Sequence, residues 1–354
     1  MSLGLDIGKH SIKIVELTSK NGNVEVENFG IKPIFEDVNK FDLEKLTKSQ
    51  VEATIQDLLK ELNINPKRVK NITSSLSGTL VDIREISTLD MPDEELAVSL
   101  ELEAKKHIPL DGTDAIIDYH HLGVNNKEID KINILLASTT KNIIKEHAEL
   151  IKNSGFKPNV FDSDPIALAN VYKYNNELPK EGADVILNIG NSATTLIVWG
   201  ENCPFFTRTI ELSGNFFTNE IMREFKVDYQ TGENMKFEKG ISVFTDNNDT
   251  LENESSESLG ISIEKRTPFN DFSEDIKRTL RFYIKNNSQA FFNKFYITGG
   301  SANLPGLDTF IASTLNVNVE TLNPLKNITN SKSVDNINQF STAIGLAIRG
   351  LDLE

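Results

Sequence analysis

Gly4-Leu5-Asp6-Ile7-Gly8-Lys9-His10-Ser11-Ile12-Lys13-Ile14-Val15 reads as a short apolar strand, an acid, a glycine, small polar residues and a second β-rich strand. Almost half the chain later the pattern returns as Val185-Ile186-Leu187-Asn188-Ile189-Gly190-Asn191-Ser192-Ala193-Thr194-Thr195-Leu196-Ile197-Val198. Each predicts a β-hairpin with a glycine tip. Two such hairpins facing one another form a clamp for a nucleotide's phosphates, because phosphate binding needs close backbone approach and a row of free N–H donors. Gly8 and Gly190 remove the Cβ at each tip. Ser11 and Thr194 supply hydroxyls, Lys13 a positive charge, and Asp6 a carboxylate able to hold the waters around Mg²⁺. Lys9, His10, Asn191 and Ser192 complete the two tips. Where the first hairpin has Asp6, the second has the neutral Asn188, which holds metal-bound water less strongly and is a poor general base.

A third element follows: Phe295-Tyr296-Ile297-Thr298-Gly299-Gly300-Ser301-Ala302-Asn303-Leu304-Pro305-Gly306, a strand, a glycine turn and a helix start. Gly299 and Gly300 would let the chain pass close to a ribose or adenine, with Ser301 and Leu304 beside them.

The 354 residues predict two or three domains. Cys203 is the only cysteine, which excludes an intrachain disulfide and points to a reducing compartment. Met1 runs straight into a strand-like segment with no basic, apolar leader, and no apolar stretch reaches membrane-span length, so a cytoplasmic protein is expected. A formal charge of −15 argues against general nucleic-acid binding and against adsorption to anionic lipid.

Residues 1–78 alternate strand and helix: strands at 3–7, 11–17 and 24–31, a helix within 42–62 carrying Val51, Ile55, Leu58, Leu59 and Leu62 on one face, then a strand at 69–76. Residues 79–159 predict a separate α+β module, with strands at 80–86, 115–122 and 132–137 and helices at 93–107 and 141–153. Residues 160–183, with a C-terminal helix within 340–350, return to the first lobe. Residues 184–339 form a second lobe containing a subdomain at about 213–270. Within it, 240–264 is expected to be an acidic surface loop, with order resuming at Ser273 as a helix N-cap.

With these motifs in this order the chain resembles the actin-like ATPase superfamily. Phosphate-1 is Asp6–Lys13, connect-1 is Asp164–Tyr172, phosphate-2 is Asn188–Thr195, the adenosine motif is Ile297–Gly306 and connect-2 is Ser341–Ala347. The run Leu102–Leu110, followed by Ile117-Asp118-Tyr119-His120-His121-Leu122-Gly123, is similar to the extra module of the PilM-like and FtsA-like branch. Phe206-Thr207-Arg208, Gly214-Asn215 and Tyr229–Lys236 also fit that branch. The resemblance to the PilM family covers nearly the whole chain. It implies an α/β, actin-like (ribonuclease H-like) two-lobed fold with an inserted α+β module, and binding of ATP or ADP with Mg²⁺. Gly214 would bind the nucleotide, Glu233 and Lys236 would face the nucleoside, Asp6 and Asn188 would act on the metal through water, and Asp164 is the candidate to position an attacking water or, equally, to cap its helix. Asn188 implies at most slow hydrolysis.

The same resemblance implies a scaffold of type IV pilus assembly. It would bind the N-terminal cytoplasmic segment of a PilN-like bitopic membrane protein through the 79–159 module and its boundary with the first lobe. It would be peripheral to the inner membrane without inserting, and it leaves open other pilus motor or platform partners and self-association. An FtsA-like division filament is the alternative, disfavoured because only Arg349–Glu354 follow connect-2 where such proteins carry a linker and amphipathic anchor. A small-molecule kinase ranks lower, since only Asp162 and Asp164 offer a base for an acceptor hydroxyl.

Overall fold

The computed structural model describes residues 1–35, 37, 39, 45–108, 114–125, 128, 130–244, 266–287, 291–332 and 334–351. The first hairpin is β1 (Ser2–Ile7) and β2 (Ser11–Lys20), followed by β3 (Asn23–Pro33). After α1 (Lys48–Glu61) come β4 (Ile72–Leu76) and, much later, β8 (Val160–Ser163). They form one sheet in the order β3-β2-β1-β4-β8, an antiparallel meander extended by two parallel strands. The second hairpin, β9 (Ala183–Ile189) and β10 (Thr194–Gly200), builds the same figure with β11 (Cys203–Ile210), β12 (Phe292–Thr298) and β13 (Val319–Thr321), in the order β11-β10-β9-β12-β13. The repeated sequence pattern is therefore a repeated topology.

Period-2 alternation sends β1 side chains to two different places. Leu3 and Leu5 join Ile12, Ile14, Ile55, Leu58 and Ile72 in a core under α1. Gly4, on the opposite face, lies against α9 (Ser341–Arg349), where a Cβ would overlap the Ala343 carbonyl. On its far side α9 meets α4 (Asp164–Asn175) at Gly345, where a Cβ would overlap the Ala167 carbonyl. Small residues thus let two helices and a strand pack backbone to backbone. This α4–α9 pair sits between the lobes: Val15 and Leu17 reach it from the first sheet, Ile186, Ile197 and Tyr296 from the second. The outer face of the second sheet is covered by α5 (Gly214–Phe225), α7 (Pro268–Asn286) and α8 (Leu307–Leu315), through Phe217, Phe272, Ile276 and Ile311.

The inserted segment contributes β5 (Asp82–Leu89), α2 (Asp93–Ala104), β6 (Ala115–Val124) and β7 (Lys131–Thr140), an antiparallel sheet in the order β5-β7-β6 with α2 packed on it through Leu96, Leu100 and Ala104. The following helix, α3 (Lys141–Asn153), which the sequence reading groups with this module, buries Ile151 in the first-lobe core beside α1. Two local expectations are corrected. Ser273 lies inside α7, which begins instead at a Thr267 capping box with Pro268 in its first turn. The stretch 240–264 does not begin as a loop: Gly240–Phe244 is a 3₁₀ turn with Val243 and Phe244 buried, and 245–264 lies outside the described residues. Among the described residues no helix is long and apolar enough to cross a membrane.

His147 fastens α3 to the first sheet. Its Nε2 lies 2.8 Å from Ser74 Oγ on β4, and its ring meets Phe161 edge-on at 4.8 Å. Burial pushes the imidazole down to about 4. An unfolded histidine takes its proton near pH 6.5, so this site loses stability as pH falls from there toward 4, by up to about 3 kcal/mol. Relative to wild type, His147→Gln should lack that loss when unfolding free energies are compared from pH 7 to pH 4. Parallel curves for the two proteins would rule out the assignment.

Candidate functional site

The candidate site is built from the two hairpin tips and the elements that dock on them. In the first, register pairs Asp6 with Lys13 across β1 and β2, and Lys13 Nζ lies 3.1 Å from Asp6 Oδ2 with both side chains largely buried. The lysine charge that the sequence offers to a phosphate is therefore balanced within the protein. Behind the pair, at the first position of α4, lies Asp164. The helix N-cap is Ser163, whose hydroxyl accepts from Ile166 N–H, so the capping role considered for Asp164 belongs to its neighbour. Burial, with the negative charge of Asp6 adding to it, pushes the Asp164 carboxyl up to about 7 against a hydrogen bond from Ser75. Its Oδ1 is buried with no hydrogen-bond partner. Burial likewise raises Asp162, on β8, to about 6. Both acids hold protons more tightly folded than unfolded, so they favour the fold below the usual carboxylate range and lose that contribution as pH rises toward 6 and 7, opposite in sign to His147.

In the second hairpin the tip closes with Gly190 N–H donating to Ala193 O at 3.1 Å. The start of α5 docks on it: Gly214 N–H donates to Gly190 O at 2.9 Å, Asn215 N–H to Asn191 O at 2.8 Å and Ser213 Oγ to Asn191 O at 2.7 Å. The Thr194 hydroxyl donates to Leu212 O at 2.8 Å and is fully buried, so it ties the tip to α5 instead of offering a phosphate donor. Asn191 Oδ1 and Asn215 Oδ1 are buried without hydrogen-bond partners.

The third element arrives beside Asn188. Gly299 has φ +93°, and a Cβ there would lie 2.5 Å from Asn188 Oδ1 and 2.7 Å from Ile189 O, so no other residue fits without moving the hairpin. Gly300 has open space where its side chain would be. Ser301 N–H donates to Ile189 O at 3.0 Å, and a Cβ on Gly214 would overlap Ser301 Oγ. Phosphate-2 tip, α5 start and glycine turn therefore meet within contact distance. Leu304 is 2% exposed in the outer core, where it supports the turn from behind.

From α6 (Tyr229–Lys239), Lys236 reaches inward to Gly214 O at 3.2 Å and Thr218 Oγ1 at 2.8 Å and pairs with Glu233, which also accepts from Thr218. Burial pushes the Lys236 ammonium down and Glu233 opposes it. Lys236 is 1% exposed, whereas the Glu233 side chain keeps 16% of its surface. His10, from the first-lobe tip, is pushed down by burial and feels the charges of Glu233, Lys13 and Lys236. Asn39 Oδ1 accepts from Gln230 N–H at 3.0 Å. The Asn39–Gln230 hydrogen bond joins the two lobes, and His10 lies within range of the charges on α6.

Sequence reasoning missed Ser75, Asn39 and the orphaned amide of Asn215. Ser75 had a signal, the run of hydroxyl residues Thr73-Ser74-Ser75 within a strand, which the structure buries; Asn39 had none. Lys9 is exposed at its tip. Among the described residues no three His, Cys, Asp or Glu side chains converge as direct metal ligands. Asp6 and Asp164 lie close enough for their charges to interact, a sparse oxygen pair of the kind Mg²⁺ takes while it keeps most of its waters.

The chain matches the family described as Type IV pilus assembly protein PilM over residues 4–351. Among solved structures it is similar to a PilM-PilN type IV pilus biogenesis complex, with 24% identity over 100% of this chain and 98% of that one, and a TM-score of 0.78. It is also similar to the ethanolamine utilization protein EutJ from Carboxydothermus hydrogenoformans, at 12% identity, over 98% of this chain and 89% of that chain, with a TM-score of 0.54. The fold is the actin-like, two-lobed one.

Proposed function

The chain belongs to the PilM family of type IV pilus assembly proteins, and from that premise we propose that it is a nucleotide-binding scaffold that holds a PilN-like membrane protein to the pilus machinery. The observation that carries the nucleotide part is the convergence of the second hairpin tip, the α5 start and the Gly299–Gly300 turn, with His10 of the first tip within range of the Glu233 and Lys236 charges. ATP or ADP would place its phosphates between the tips and its nucleoside toward Glu233. Asp6 and Asn188 would hold Mg²⁺ through water, and the bound ion would offset phosphate charge. Asn188 carries no charge and cannot take a proton from water. Asp164, pushed up to about 7 beside Asp6, is the acid that would orient a water, so turnover is slow or absent and nucleotide acts mainly by joining the lobes.

The partner would be the N-terminal cytoplasmic segment of a PilN-like bitopic protein, with this chain peripheral to the inner membrane through it. The likeness to a solved PilM-PilN complex supports that choice. If nucleotide changes the affinity for this segment, the segment must change nucleotide affinity by the same factor.

Calorimetry with ATP and ADP, with and without Mg²⁺, tests the site. Wild type should bind both. Asp6→Ala should weaken the Mg²⁺ complex by about tenfold or more and abolish the difference that Mg²⁺ makes, because it removes the carboxylate and frees Lys13. Wild-type protein indifferent to millimolar adenine nucleotide would end this reading.

A further inference from the structure

The face of the first sheet that packs under α1 ends in a charge. Along β2, Ile12 and Ile14 point into that core, and the next residue of the alternation is Glu16. Register places Glu16 between the core residue Leu3 of β1 and Asn28 of β3. Glu16 is 7% exposed. Its side-chain hydrogen-bond partner among the described residues is Asn28, whose Nδ2 donates at 2.7 Å, and none of their Lys, Arg or His side chains forms an ion pair with it. Lys332 lies behind the amide, with Nζ 3.1 Å from Asn28 Oδ1, and so fixes which end of Asn28 faces the acid. A carboxylate at a core position without a cation is costly to the fold.

Beside Glu16 is a cavity of about 460 Å³, within the roughly 300–1,000 Å³ of small-ligand sites. Leu3, Ile64 and Val69 supply apolar wall, and Arg68 and Lys70 also line it. Arg68 ends the 3₁₀ turn Pro66–Arg68, whose cap Asn65 accepts from Lys67 N–H at 3.1 Å. Arg68 and Lys70 are exposed, and neither forms an ion pair among the described residues. One cavity therefore joins a buried negative charge that lacks a cation to two positive charges that lack an anion. It lies at the start of β1, the opposite end of that strand from the Gly8 tip.

We propose that this cavity binds a small zwitterion of the α-amino acid class, its ammonium on Glu16 and its carboxylate toward Arg68 and Lys70. Such a molecule balances both signs at once and lays its apolar stem on Leu3, Ile64 and Val69. A bare metal ion would meet two cations in the same cavity, and a simple anion would meet Glu16. The planar fork of Arg68 suits a carboxylate through two hydrogen bonds.

Thermal unfolding of the full chain tests this with each common L-amino acid at about 10 mM, with propylamine, which keeps the cation alone, and with propionate, which keeps the anion alone. At least one amino acid should raise the wild-type midpoint, and calorimetry then gives its Kd. Glu16→Gln should weaken its binding by about tenfold or more, and the double variant Arg68→Gln/Lys70→Gln by about fivefold. Without ligand, Glu16→Gln should be as stable as wild type or more so, because glutamine keeps an oxygen for Asn28 and removes the buried charge. A midpoint unmoved by every amino acid, or an equal Kd in Glu16→Gln, overturns the site. Propylamine binding as tightly as the amino acid, or an affinity indifferent to Arg68→Gln/Lys70→Gln, overturns the zwitterion assignment. Glu16→Gln unfolding more readily than wild type in the absence of ligand would show that the protein balances this carboxylate by itself, and would overturn the proposal too.

Discussion

Alanine in place of Gly345 is expected to destabilise the protein by about 3 kcal/mol or more, the upper range for overpacking a rigid site. The new methyl would overlap the Ala167 carbonyl, with the Ala167 Cα itself only 3.1 Å away. Both obstacles are helix backbone and cannot turn aside as a side chain can. Nor can α9 retreat, because its other side rests on Gly4 of β1. On its own other side α4 is held by Tyr172, which packs with Trp199 and Tyr296 of the second sheet and donates to Asp184. The strain therefore spreads into both lobes. Gly300→Ala is the matched control: its Cβ meets nothing within 4 Å, so stability should not change. Urea unfolding of both variants decides the matter. A Gly345→Ala midpoint equal to wild type would show that the helices can separate at little cost.

That seam also explains how far the sequence could be read. The hairpins were legible because a strand–glycine–strand pattern is local, and their repetition announced the repeated sheet. The C-terminal helix within 340–350 was legible too, but not how closely Ala343, Gly345 and Ala347 let it pack. What the sequence could not say is which atom a polar side chain chooses. Thr194 looks like a phosphate donor until Leu212, eighteen residues on, presents a carbonyl to it. Lys13 looks free until register sets it opposite Asp6. Ser273 is a good cap in isolation, but Thr267-Pro268 starts the helix earlier, and the apolar Phe269 and Phe272 that fix this face inward. Leu304 falls within a motif yet serves the core. Asp162 was visible only as an acid near Asp164; that it lies buried beside the exposed Arg349 is a consequence of strand order, which no local pattern carries.

Glu233 and Lys236 should respond to mutation with opposite severity. Lys236 is 1% exposed, and among the described residues Glu233 is the carboxylate that pairs with it in the hydrogen-bond network that also contains Thr218 and Gly214 O. Glu233→Gln leaves an ammonium in the interior without an anion, at a cost of about 3–5 kcal/mol. Lys236→Met is milder, because the Glu233 carboxylate keeps some solvent contact and can turn to it. The double variant Glu233→Gln/Lys236→Met should recover most of the stability lost by Glu233→Gln alone, since both buried charges are gone. Urea unfolding of the four proteins measures this directly, and equal losses in the two single variants would refute it. The folded double variant then separates structure from function. Lys236 is too enclosed to touch a ligand, whereas Glu233 is partly open and close to His10 of the opposite lobe. If Glu233 accepts hydrogen bonds from the ribose, the double variant should bind Mg²⁺–ATP about tenfold more weakly while Lys236→Met alone binds nearly as wild type. Unchanged affinity in the double variant would make the pair a strut between α5 and α6 and move nucleoside recognition to the Gly299–Ser301 turn.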